Sequence, residues 1–389
     1  MRNEKLLQEL ESFASAAFIV AWLVIFFARK RILDEMTPFP DERVLIGANL
    51  SVIVPVRNEE KHVAHCLSSI LKAKGVVKEV IVVDDNSTDR TWDVVQQFVG
   101  VDVKAVKAGV PPEGWMGKSW ACHVGYKNST GSWLLFTDAD TEFSEKAVVN
   151  AVADAERRGL EFVSLYPRFR MNSFLHHFAL PVMLLGFYAF GKPHLVKKGK
   201  SAFAFGSFIL VRRDAYERIG GHQAVRDAVL EDRALALAAQ KAGLKTELYK
   251  AFDQLVTSWN DDSVTLWNGM IRIFTPLALK NPGKTVGIFF LLTFVCLAIP
   301  AINIYSGNYL PLVFAHLAAA LVVGGESARH QSNFLYGLMW PVGVAAIMTA
   351  ALVALTKAWK NPTVVWRGRK YLIRQGQVHE QVILVSSDK

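Results

Sequence analysis

Trp133-Leu134-Leu135-Phe136-Thr137-Asp138-Ala139-Asp140 is an apolar run that ends abruptly in two carboxylates one residue apart. The run reads as a buried strand, and on extended backbone the side chains of Asp138 and Asp140 leave on the same face. Two carboxylates converging there repel each other unless a cation lies with them. A hard divalent ion resolves the conflict, because Mg2+ or Mn2+ takes one or two carboxylates together with phosphate oxygens. Taken alone, the pattern also suits a strand-end turn in which Asp138 caps the next helix. The segments around it decide.

Upstream, Leu50 to Val54 is a short apolar run that stops at Pro55. Glu59 to Lys72 has helical spacing through Val63, Leu67, Ile70 and Leu71. Val80 to Val83 is a second continuous apolar strand, ending in Asp84-Asp85, and Thr91 to Phe98 is helical. Strand and helix in this alternation argue for an α/β fold with a mostly parallel, Rossmann-like sheet. In such sheets ligands bind outside the carboxyl ends of the strands. Three strands deliver polar residues there: Pro55-Val56-Arg57-Asn58-Glu59, Asp84-Asp85-Asn86-Ser87 and Asp138-Ala139-Asp140. That coincidence is far more specific than any one of the three. The Asp84 to Ser87 stretch also suits a turn with a helix cap at Ser87 or Thr88.

The composition adds a membrane. Hydrophobic residues make up 51% of the 389, and the mean hydropathy is +0.22. The excess is concentrated in Ser12 to Phe27, Val286 to Tyr305, Leu310 to Gly324 and Phe334 to Ala358. A span needs about 20 apolar residues, so the first and third are short and the others long enough. The N-terminal stretch lacks a small-x-small cleavage site and is followed at once by Arg29-Lys30-Arg31. It therefore reads as an anchor whose C-terminal end faces the cytoplasm, not as a signal peptide. The net charge of +9 suits anionic headgroups or an anionic substrate. Nucleic acid is not expected as a partner, since no basic-aromatic module appears. Cys66, Cys122 and Cys296 are far apart, lack metal-binding spacing and suit a reducing compartment.

The expected organisation is an anchor and linker over 1–41, an α/β domain over 42–280, membrane helices over 281–358 and a basic cytoplasmic tail over 359–389. Phe174 to Phe190, apolar and broken by Pro181, reads either as a core helix or as one lying at the membrane interface. Counting crossings, three spans after the anchor put the tail outside, yet its lysines and arginines favour the inside. Leu310 to Gly324 is therefore the expected re-entrant or partial span.

Ser51-Val52-Ile53-Val54-Pro55-Val56-Arg57-Asn58-Glu59-Glu60, Val82-Val83-Asp84-Asp85-Asn86-Ser87-Thr88-Asp89 and Thr137-Asp138-Ala139-Asp140 together resemble family 2 glycosyltransferases of the GT-A fold, over residues 50 to 275 or so. Gly114-Trp115-Met116-Gly117-Lys118-Ser119-Trp120-Ala121 and the tail Trp366-Arg367-Gly368-Arg369-Lys370-Tyr371 resemble the membrane branch associated with hopanoid and carotenoid glycosylation. The resemblance implies that Pro55, Arg57, Glu59 and Asp85, with Asp84 adjacent, hold a nucleotide. It implies that Asp138 and Asp140, flanking Ala139, fix the Mg2+ or Mn2+ that bridges the diphosphate. Lys118, at the start of a helix through Trp120, Ala121 and Val124, is a natural diphosphate contact; its plain alternative is a solvated lysine. Val229-Leu230-Glu231-Asp232-Arg233-Ala234-Leu235 matches the family's E-D motif, with Leu230, Ala234, Leu235 and Ala238 as the buried stripe. That match makes Asp232 the base, beside Glu231. The helix dipole lowers its pKa and burial raises it. Gly206-Ser207, ahead of Val211-Arg212-Arg213-Asp214-Ala215-Tyr216 and Gly220-Gly221, is expected near the sugar, with Arg212 and Arg213 structural.

One departure matters. Processive members carry Q-x-x-R-W after the base, whereas this chain has Trp267-Asn268-Gly269-Met270-Ile271-Arg272. Trp259, Trp267 and Arg272 remain candidates to line the site, with Trp366 and Arg367. The expectation is an inverting, metal-dependent transfer of a single sugar from a nucleotide-diphosphate sugar to a membrane lipid: a polyprenyl phosphate, carotenoid, hopanoid or glycerolipid. The enzyme would sit in the cell membrane, multi-pass, with its catalytic domain facing the cytoplasm. A processive polysaccharide synthase and a non-catalytic nucleotide-sugar-binding membrane protein are the alternatives.

Overall fold

The computed structural model describes the chain except residues 1, 42–48, 74, 281, 295–300, 302–303, 306, 308, 361–362, 368, 375–380 and 386–389. By its contacts the chain divides into two units. One is α/β and comprises Glu35–Arg170, Gly191–Trp259 and Thr363–Lys389. The other is helical and comprises Met1–Asp34, Met171–Phe190 and Asn260–Pro362. This division differs from the sequential one at 280 and 359. Phe174 to Phe190 and the segment after Asn260 belong with the apolar helices, and the basic tail belongs with the α/β unit.

In the α/β unit the strands are β1 (Thr37–Pro38), β2 (Leu50–Val56), β3 (Val77–Asp84), β4 (Val103–Lys107), β5 (Trp133–Phe136), β6 (Thr141–Phe143) and β7 (Phe162–Tyr166). They continue with β8 (Arg168–Phe169), β9 (Ile209–Arg212), β10 (Thr246–Lys250), β11 (Leu255–Thr257), β12 (Thr363–Trp366), β13 (Arg369–Arg374) and β14 (Gln381–Val385). The main sheet runs β1-β10-β7-β9-β5-β2-β3-β4. The expected mostly parallel α/β sheet is borne out. The exception is β9, which lies antiparallel to both β5 and β7.

Alternate residues of each central strand go to opposite faces. Val52, Val54, Val80, Val82 and Leu135 join one apolar cluster with Val63, Leu67 and Ile70. Ile53, Ile81, Val83, Leu134 and Phe136 join another with Ala121, Leu235 and Ala236. Both faces are covered, which is why these strands read as unbroken apolar runs and not as alternating ones.

Several local expectations shift. The strand β2 does not stop at Pro55, which pairs with Val83. Its other neighbour, β5, pairs only as far as Ile53, so Pro55 lies on a single-sided stretch where a missing N–H costs no ladder bond. The helix expected over Glu59 to Lys72 is Val63–Ile70, and that over Thr91 to Phe98 is Thr91–Gln96. Its first N–H is received by Asp89 Oδ1 at 3.0 Å, not by Ser87 or Thr88. Asp138 caps no helix, because β6 follows it. In helix Glu231–Lys241 the fully buried side chains are Leu235, Ala236 and Ala239, so the buried stripe is rotated from the one expected, and Leu230 and Ala238 are only partly covered.

In the helical unit, Phe18 and Trp22 of helix Arg2–Glu35 pack against Trp340, with Trp22 and Trp340 centroids 5.3 Å apart. Arg29 is buried against Glu326, Nη2 to Oε2 at 2.5 Å. A Cβ on Gly343 would collide with the Phe178 carbonyl, the close backbone approach that small residues permit between apolar helices. Among the described residues, Phe174–Lys198, Leu312–Arg329 and Phe334–Lys360 are long and apolar enough to cross a membrane. The segment expected to be re-entrant is instead part of one continuous helix, Tyr309–Arg329. Phe174–Gly186 carries Pro181 within it and opens the longer run Phe174–Lys198, whose length and composition suit a span. Ser12 to Phe27 lies within helix Arg2–Glu35. Val286 to Tyr305 lies partly outside the described residues.

Candidate active site

The carboxyl ends of β2, β3 and β5 open at one edge of the sheet, where the order reverses on either side of β2. Asn58 and Asn86 turn the chain sharply after β2 and β3 with φ of 54° and 56°, a conformation asparagine tolerates better than most residues. The two turns are tied together: Asn58 Oδ1 accepts from the Thr88 N–H at 2.8 Å. Arg57 Nη1 donates to the Asp85 carbonyl and to that of Asn86 at 3.0 Å. Asp84 and Asp85 are both buried. Burial pushes the Asp85 carboxyl up, against the pull of Arg369 and Arg57.

Beyond β5, Lys118 is the hub. It lies in the first turn of helix Gly117–Lys127. Its Nζ is 2.7 Å from Asp138 Oδ1 and also pairs with Glu231. Burial alone lowers its pKa, but Asp138, Glu231 and Asp232 outweigh that and raise it well above the usual lysine value. The N–H of Gly206 donates to Asp232 Oδ2 at 3.2 Å. A Cβ built on Gly206 would stand 2.9 Å from Lys118 Nζ, 3.1 Å from Asp138 Oδ2 and 3.6 Å from Asp232 Oδ2. Three expected site positions thus meet around one glycine. Thr137 Oγ1 fastens the neighbouring Ser207 carbonyl at 2.8 Å. Asp232 is pushed up to about 7, first by burial and then by the charge of Glu231.

Asp140 accepts from Thr257 Oγ1 at 3.0 Å, and its backbone carbonyl receives the Ser258 N–H at 3.1 Å. Burial and then the charge of Asp138 raise its pKa. Among the described residues no group of three His, Cys, Asp or Glu side chains is arranged to hold a metal alone. The Asp138–Asp140 pair does fit a hard divalent ion that takes its remaining ligands from phosphate, because its negative charge is close enough to be self-repelling.

Residues 51–220 match the family model described as glycosyl transferase family 2. The matched stretch, most of it in the α/β unit, is thus similar to family 2 glycosyltransferases over less than half of the chain. Two curated relatives are 4,4'-diaponeurosporenoate glycosyltransferases of Staphylococcus aureus. The one from strain MRSA252 is 30% identical over 208 residues, 52% of this chain and 54% of the relative. The one from strain bovine RF122 / ET3-1 is 30% identical over 209 residues. The chain thus spans about half the length of the curated relatives it matches. Among solved structures, the mannosyltransferase PcManGT of Pyrobaculum calidifontis, in complex with GDP-Man and Mn2+, superposes with a TM-score of 0.53 at 21% identity. That superposition covers 91% of this chain and 100% of the other, and supports the GT-A fold.

The α/β unit brings Lys118, Asp138, Gly206, Glu231 and Asp232 together, and Arg57, Glu59, Asp84 and Asp85 at the adjoining strand tips. Pro55 sits at the end of β2, partly covered, and Ala139 is buried between the two aspartates. Arg213, expected to be structural, binds the Gly131 carbonyl at 2.6 Å and Ser129 Oγ at 2.8 Å, holding the turn into β5. Trp267 and Arg272 fall on helix Ser263–Lys280 of the helical unit. Trp259 lies in the α/β unit with its ring 6.5 Å from that of Phe169. What sequence reasoning missed is Arg369 and Tyr371, and the extent of the part played by Arg367. The Tyr371 hydroxyl accepts the Gly117 N–H at 3.2 Å. The alternation of basic and aromatic residues in that tail was the available signal.

The crowding at Gly206 makes a sharp prediction. Gly206→Ala keeps an ordinary backbone conformation but forces Lys118 or Asp138 to move, so a reaction carried by this cluster should slow by about tenfold or more. The melting temperature should change little. Wild-type kinetics in that variant would show that the Lys118–Asp138 contact is not used.

Proposed function

We propose that the protein transfers one sugar, with inversion, from a nucleotide-diphosphate sugar to a lipid-borne hydroxyl, carboxylate or phosphate at the membrane. The observation that carries this reading is the meeting of Lys118, Asp138 and Asp232 around Gly206, with Glu231 paired to the same lysine. The acceptor O–H, or its already ionised oxygen, attacks the anomeric carbon as the bond from that carbon to the diphosphate oxygen breaks. Asp232 takes the acceptor proton on the face opposite the leaving group; a base titrating near neutrality is well suited to this. Lys118 receives the charge developing on the diphosphate. Asp138 and Asp140 would hold Mg2+ or Mn2+, which supplies Lewis-acid stabilisation of the same leaving group when bound.

Two buried polar atoms support a donor lying across the strand tips. Asp85 Oδ1 and Ser207 Oγ have no hydrogen-bond partner among the described residues, and buried polar atoms normally have one. Asp85 Oδ1 suits a nucleobase N–H, and Ser207 Oγ a sugar hydroxyl. Three helices able to cross a membrane among the described residues and relatives named for an apolar carboxylate, diaponeurosporenoate, support a lipid acceptor, a carotenoid-like one foremost. The chain's lack of Q-x-x-R-W supports a single transfer. Multi-pass residence in the cell membrane, with the transferase domain on the cytoplasmic side, agrees with Arg29-Lys30-Arg31 following the first apolar stretch.

A thermal-shift panel of UDP-, GDP- and dTDP-sugars with Mn2+, run on detergent-purified protein, tests the donor half. At least one donor is expected to raise the melting temperature, and a labelled sugar from that donor should then partition into the lipid fraction of a membrane extract. No shift with any donor would remove the reading.

A further inference from the structure

The C-terminal hairpin lies outside the residues matched by the family model, yet it reaches the strand tips. The strands β12 and β13 pair antiparallel, Trp366 opposite Arg369, and Arg367 turns between them with φ of 44°. Arg57 Nε donates to the Arg367 carbonyl at 2.9 Å. The Arg367 guanidinium pairs with Glu59. Arg369 Nη1 donates to Asp85 Oδ2 at 2.5 Å and occupies the space that a Cβ on Gly117 would need. Gly117 opens the helix whose next residue is Lys118.

We infer that this hairpin completes the donor site, with Arg367 and Arg369 binding the anionic part of the nucleoside diphosphate. The inference rests on the glycosyltransferase reading above. Three carboxylates, Glu59, Asp84 and Asp85, are buried at these tips, and Arg57 lies close enough for Asp85 and Asp84 to act on its charge. A diphosphate brought there adds further negative charge and needs cations to meet it. With the hairpin in place, three guanidinium groups converge instead. Burial and then the nearness of Arg369 lower the Arg57 pKa, while Asp85 and Asp84 pull it up. Arg369 spans the interval between Asp85, at the nucleobase end, and Gly117-Lys118, at the diphosphate end. A planar guanidinium has five N–H donors in a fixed fork, so Arg369 can keep Asp85 and still meet a phosphate oxygen.

The test is direct binding of UDP, GDP and dTDP, and of the corresponding monophosphates, to the full chain with Mn2+. Arg367→Ala and Arg369→Ala are each expected to weaken the preferred diphosphate by about 10- to 100-fold, as for loss of a charge-assisted hydrogen bond. The monophosphate should lose less. Arg369→Lys, which keeps the charge beside Asp85 and so guards against simple unfolding, is expected to fall between wild type and alanine. Folded variants that bind the diphosphate as well as wild type, or better, overturn the inference and leave the transferase reading standing. A wild-type chain that binds no nucleotide overturns both.

Discussion

Asp232→Asn is expected to lower the rate of sugar transfer by about 10²- to 10⁴-fold, the usual contribution of a positioned general base. Nucleotide binding should be retained, because the amide keeps the shape and the acceptor oxygen that receives the Gly206 N–H but cannot take a proton. The wild-type rate should carry the same signature in its pH profile. Asp232 is pushed up to about 7, so the rate should rise with pH through neutrality and level off above it. The variant's residual rate should lack that limb. Stability should move the other way. An unfolded aspartate titrates near ~3.9, so between that value and about 7 the folded chain holds a proton that the unfolded chain does not. Folding is then weakened as pH rises through this window, and the penalty is fully present above it. Asp232→Asn removes the penalty, so its melting temperature at pH ~8 should exceed that of wild type. Normal turnover by the variant would strip Asp232 of the role.

Removing divalent metal is the second large expected effect. Transfer should be lost in EDTA, by about 10²-fold or more, and restored by Mn2+ or Mg2+. The argument is electrostatic. Asp140 is raised by burial and by Asp138, and Lys118 is shared between Asp138 and Glu231. One lysine therefore serves several acids, and a diphosphate would add to the deficit of positive charge. Asp140→Asn, which touches neither Lys118 nor Asp232 in the contacts described, should raise the metal concentration needed for half-maximal rate. Full activity in chelator would leave the leaving group to Lys118 and the arginines alone.

Much of this molecule is written locally in the chain. Val80 to Val83 and Trp133 to Phe136 had to be strands covered on both faces, because only a doubly buried strand tolerates an unbroken apolar run. The residues that end those strands had to be turns, since Asn58, Asn86 and the paired aspartates favour turns over continued sheet. Strands that run parallel through helical crossovers present those turns at one edge, so Asp84, Asp85, Asp138 and Asp140 were legible as one candidate site. Lys118 and Glu231-Asp232 were legible as helix starts, and the family motifs tied them to it. Boundaries were less legible: Pro55 stays in its strand only because β5 ends before it, a fact about a neighbour some 80 residues away.

Tertiary structure alone decided which charges neutralise which. Arg367 meets Glu59 and Arg369 meets Asp85 across separations of 308 and 284 residues. Arg29 meets Glu326 across 297. Nothing in the local sequence of an arginine names its carboxylate, because ion pairing has neither a period nor a fixed spacing and is settled by where the backbone has already gone. The same holds for Gly206, whose missing side chain matters only because Lys118, Asp138 and Asp232 arrive around it from three other segments. The chain itself set the strands, their turns and the kinds of chemistry at their ends; the fold chose the partners, since burial and charge balance act through space.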